Sequence, residues 1–76
     1  IDFILEGNGE LIPIEVKWKS ISNPIVTKNI ISFYTTHQNV KRAIIVTKDY
    51  AHTLHKDKKI IYFVPAIVFN KFIKNL

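Results

Sequence analysis

Apolar and polar side chains alternate along residues 11–19, with Ile12, Ile14, Val16 and Trp18 on one side and Leu11, Pro13, Glu15 and Lys17 on the other. A period of two is that of a β-strand. Residues 1–6, Ile1-Asp2-Phe3-Ile4-Leu5-Glu6, share high strand propensity, and Gly7-Asn8-Gly9-Glu10 separates the two segments. Asn-Gly is the strongest short signal for a two-residue type I′ turn, because both central residues take φ > 0. The pattern therefore predicts a β-hairpin whose register sets Gly7 opposite Glu10, Leu5 opposite Ile12 and Phe3 opposite Ile14. Asn23-Pro24 breaks the strand, after which the period changes. Val26, Ile30, Phe33 and Tyr34 recur at three and four residues, predicting a helix over residues 26–37 with one buried stripe and Thr27 or Ser22 as its cap. Lys28, Asn29, Ser32 and Thr36 would face elsewhere.

Ala43-Ile44-Ile45-Val46-Thr47 is a continuous, largely β-branched run, as expected of an interior strand covered on both faces. Residues 48–59 are polar and basic and read as a loop. Residues 60–64 form a further buried strand, stopped by Pro65, and a last helix is predicted over residues 66–75. The order implies an α/β fold: a mixed central sheet of about four strands with two helices, its last two strands running parallel to a neighbour through crossovers. A chain of 76 residues has room for one domain, spanning residues 1–76.

Composition narrows the partners. Hydrophobic residues make up 47% of the chain, which excludes intrinsic disorder. Cysteine is absent, so disulfides and thiolate metal sites are excluded and any metal must be held by oxygen or imidazole. A net charge of +5 favours an anionic partner such as nucleic acid. The longest apolar run, residues 60–69, is broken by Pro65 and falls short of the roughly 20 residues needed to cross a bilayer. No signal-peptide pattern opens the chain, so a cytoplasmic location is expected. With Ile first and no Met, the chain is expected to be part of a longer protein. His52 and His55 have a metal-like spacing but no third ligand nearby and read as loop residues. Trp18 and Tyr34 could stack on bases, although such residues more often pack.

The predicted hairpin register sets Asp2 opposite Glu15, with Lys17 two residues on and therefore on the same face. Opposed like charges destabilise a strand pair. Either Lys17 offsets the repulsion on an ordinary solvated face, or the two carboxylates share a divalent cation such as Mg²⁺, which takes one or two carboxylates and fills its other positions with water or phosphate oxygens. Among the remaining cations, Lys19, Lys28, Lys41 and Arg42 could contact phosphate; Lys28, near the start of the helix, is the best placed, and Lys19 stands with it as a candidate site residue.

The segments Ile1-Asp2-Phe3-Ile4-Leu5, Ile12-Pro13-Ile14-Glu15-Val16-Lys17-Trp18 and Ala43-Ile44-Ile45-Val46-Thr47-Lys48-Asp49 resemble the PD-(D/E)XK nuclease superfamily. With Ile61-Tyr62-Phe63-Val64-Pro65-Ala66, the chain looks like the nuclease-like C-terminal domain of predicted AAA-type ATPases. The resemblance implies a restriction-endonuclease-like fold truncated at its N-terminus, lacking a first helix and strand, and an exposed sheet edge through which a homodimer could form. It also implies a Mg²⁺- or Mn²⁺-dependent phosphodiesterase acting on nucleic acid, DNA favoured. Asp2 and Glu15 would be the metal ligands and Lys17 would orient or activate water. The alternative is a non-catalytic module binding nucleic acid or protein for the ATPase. No Gly-rich phosphate loop is present, so ATPase activity would belong to another domain.

Overall fold

The computed structural model describes residues 1–76 as a five-stranded mixed sheet with a helix on each face. The elements in chain order are β1 (Phe3–Gly7), β2 (Glu10–Lys17), α1 (Lys28–Thr36), β3 (Arg42–Thr47), β4 (His52–Lys56), β5 (Lys59–Pro65) and α2 (Phe69–Lys74), the last entered through a single 3₁₀ turn at Ala66–Val68. In space the strands run β1-β2-β3-β5-β4. The two outer pairs are antiparallel, and β2, β3 and β5 are mutually parallel.

The first hairpin has the register expected from its turn, with Phe3 opposite Ile14, Leu5 opposite Ile12 and Gly7 opposite Glu10. Asn8 and Gly9 take φ of 52° and 75°, as a type I′ turn requires. Pro13 is tolerated inside β2 because pairing with β3 begins one residue later, at Ile14. At the start of that pair of strands the Arg42 guanidinium holds Glu10 with two parallel bonds, from Nε at 2.9 Å and Nη2 at 2.8 Å. That fork keeps the Glu10 carboxyl below the usual carboxylate range.

Period-two patterning divides the core into two layers. Ile12, Ile14, Ile44, Val46 and Val64 form one, covered by Phe69, Phe72 and Ile73 of α2. Ala43, Ile45, Ile61 and Phe63 form the other, against which α1 sets Ile30, helped by Val26 just ahead of the helix and by Tyr34. β3 is thus buried on both faces, as its unbroken apolar run predicts. Thr27 caps α1, its Oγ1 accepting from the Ile30 N–H.

Three expectations need correction. The sheet has five strands rather than four, because residues 48–59, expected as a loop, contain β4 and a second two-residue turn. The passage from β3 to β5 therefore runs through an antiparallel edge strand of the same sheet instead of the irregular loop expected there. The helices are also shorter than their patterns suggested, since Val26 and Thr27 precede α1, and Pro65 leads into a 3₁₀ turn before α2. No helix is long and apolar enough to cross a membrane.

Candidate functional site

β2 carries Pro13 and Glu15 on its α1 side, and Glu15 sits beside Ile45 of β3, deep in the layer sealed by Ile30. Glu15 is only 4% exposed. A buried carboxylate is costly unless its oxygens are bonded, and here only one of them is. Oε1 accepts from Asn29 Nδ2 at 2.9 Å and lies 3.7 Å from the Ile1 amino group, whereas Oε2 has no partner.

Beyond Glu15 the chain leaves the sheet. Residues 18–27 are irregular and fold back toward the start of α1, enclosing a cleft of about 540 Å³ whose lining includes Glu15, Lys17, Lys19, Lys28 and Asn29. Lys17 belongs there because it follows Glu15 by two residues along β2 and shares its face. Lys28 is the first residue of α1, which has no acidic residue in its first turn. A cation at that end opposes the helix dipole, and the Lys28 and Asn29 N–H groups find no protein acceptor. Three lysines and a helix N-terminus against a single carboxylate make the cleft strongly attractive to anions.

Asp2 sits differently from the others. Its backbone N–H donates to the Ile14 carbonyl at 3.1 Å, and its Oδ2 accepts from the Val16 N–H at 2.7 Å, closing the frayed end of the β1–β2 ladder. The carboxylate thus reaches the backbone of the residue between Glu15 and Lys17, but Asp2 does not line the cleft. Oδ1 makes no bond. The geometry brings Glu15, Lys17, Lys19 and Lys28 around one space and leaves Asp2 beside it on the β1 side.

The other residues considered from sequence fall elsewhere. His52 and His55 are exposed on β4, and a spacing of three along a strand turns them to opposite faces. Nowhere do three or more His, Cys, Asp or Glu side chains gather. Trp18 is exposed outside the cleft, and Tyr34 lies against the core with the Lys59 ammonium 4.6 Å above its ring. Asn29 stands off the buried stripe of α1, as its spacing predicts, and is exposed; its bond to Glu15 is the one site contact that the pattern does not announce.

The family model of a domain of unknown function, DUF4143, matches residues 1–67. The chain belongs to that family. The DUF4143 match takes in all five strands, α1 and the whole candidate site, and stops short of α2. No curated protein and no solved structure matches the chain.

Proposed function

We propose that this chain is a nuclease-like domain of the PD-(D/E)XK kind, a divalent-metal-dependent phosphodiesterase acting on nucleic acid, with DNA the favoured substrate. The observation that carries the reading is Glu15: a carboxylate kept almost wholly from water with one oxygen unbonded, at the wall of a cleft whose other charges are three lysines. An unpaired buried oxygen of this kind costs about 1–3 kcal/mol, a strain that a cation would relieve. The donors are all oxygen, which suits Mg²⁺ or Mn²⁺. Glu15 would hold the ion, with Asp2, which stands beside the cleft on the β1 side, as the second carboxylate.

When bound, the cation supplies Lewis-acid neutralisation of charge developing on phosphate and a more acidic water. The chain's own residues do the rest. Lys28, Lys19 and the N-terminus of α1 draw the phosphodiester backbone into the cleft. The Lys17 ammonium, on the same face as Glu15, donates to the scissile phosphate oxygen or to the attacking water. As the resemblance implies, the domain would work beside an ATPase domain of a longer chain, and this reading would set that chain in the cytoplasm.

One observation favours the second reading, a non-catalytic module that binds nucleic acid or protein. Asp2, the other implied ligand, already bonds the Val16 N–H and lies off the cleft lining. Incubation with supercoiled plasmid and millimolar Mg²⁺ separates the two. Nicking that falls at least 100-fold in Lys17→Ala, while salt-dependent DNA binding persists, supports hydrolysis. Nicking unaffected by Lys17→Ala contradicts it, and DNA binding without any nicking, weakened by Lys28→Ala, establishes the binding module.

A further inference from the structure

Resting on that reading, we propose that Asn29 is the positioning residue of the cation site, holding Oε1 of Glu15 so that Oε2 of the same carboxylate is left for the metal. The bond crosses between two elements: Asn29 is the second residue of α1, and its amide reaches the β2 carboxylate at 2.9 Å. Its place is fixed from behind by the Thr27 cap, whose hydroxyl accepts from Ile30, the buried anchor of the helix. Cap, anchor and amide lie within four consecutive residues, so docking α1 on the sheet delivers Nδ2 to Glu15.

The chemistry of the donor is the second part of the argument. A lysine or arginine here would form an ion pair, neutralise Glu15 and compete with a cation. An amide donates one hydrogen bond and adds no charge, so it restrains the carboxylate while leaving its negative charge in place. Three lysines line the same cleft, yet none of them bonds Glu15: its one side-chain hydrogen bond comes from the neutral amide, and the cation nearest to it is the Ile1 amino group, 3.7 Å from that same Oε1 and not from Oε2. Orienting groups that bond a metal ligand through its other atom typically contribute 10–100-fold to metal affinity.

Mg²⁺ and Mn²⁺ titrations followed by calorimetry, well below the melting temperature of every variant, provide the test. Asn29→Ala should bind either ion 10–100-fold more weakly than the wild-type protein, and Asn29→Gln, which keeps an amide on a longer stem, should recover part of that loss. Wild-type binding that Asn29→Ala retains unchanged overturns the role of Asn29 and leaves the metal reading standing. So does a loss that Asn29→Gln does nothing to restore, which would mark a packing defect. If the wild-type protein binds neither ion, the metal reading and the role of Asn29 fall together.

Discussion

Two side chains bury an oxygen without a partner, Glu15 and Tyr34, and they have different explanations. Glu15 lines a charged cleft, and the cation proposed there would give its free oxygen a partner. Tyr34 lines a smaller recess of about 310 Å³ between α1 and the β4–β5 turn, and its hydroxyl serves neither the site nor the fold. Burial alone pushes its phenol up to about 12. Tyr34→Phe should therefore leave the fold intact and raise stability by about 1 kcal/mol at neutral pH, since it deletes an unsatisfied group. The gap between the two proteins should widen from pH 10 to 12: a raised folded-state value favours the protonated phenol, and that contribution is lost as pH climbs through it. Thermal melts of both proteins across this range measure it, and a less stable Tyr34→Phe would reveal a partner for the hydroxyl. At this scale the sequence disclosed half of the site. Alternation along β2 puts Glu15 and Lys17 on one face, whereas the approach of Asn29 depends on the irregular path of residues 18–27, which no periodicity encodes.

Elements were legible where turn chemistry and apolar pattern agreed. Asn8-Gly9 fixes the first hairpin because both residues accept φ > 0 at little cost, and residues 43–47 announce a central strand by having no polar face. β4 carried neither signal. Of His52–Lys56 only Leu54 is drawn inward, and the turn after it is Asp57-Lys58, with φ of 51° and 65°. Asp tolerates that region, but lysine pays a steric penalty there for its Cβ. The strand forms because β5, buried and β-branched, offers a paired edge along the whole of β4. Lys58→Gly should relieve the penalty and stabilise the protein by about 0.5–1 kcal/mol, or roughly 2–8 °C in melting temperature. A lower melting temperature would show that the turn is held by the Lys58 side chain instead.

Over the whole molecule, charge and topology converge on one end of the sheet. Lys17, Thr47 and Pro65 stand level at the C-terminal ends of the parallel strands, the end where open α/β sheets form their ligand crevices, and the Glu15 cleft opens beside Lys17. A net charge of +5 favours an anionic partner, and the proposed cation would sit at Glu15, the one carboxylate that lines the cleft. The central claim is that Glu15 is kept half-bonded in order to hold that cation. Melting the wild-type protein and Glu15→Gln with and without millimolar Mg²⁺ tests this most directly. Gln keeps an oxygen for Asn29 and removes the charge, so metal-free stability should change by no more than about 1 kcal/mol, against the 3–5 kcal/mol lost when a structural buried ion pair is broken. The wild-type melting temperature should climb with Mg²⁺ concentration as RT ln(1 + [L]/Kd) requires, and that of Glu15→Gln should stay flat. A wild-type protein indifferent to Mg²⁺, or an equal rise in both proteins, would contradict the account.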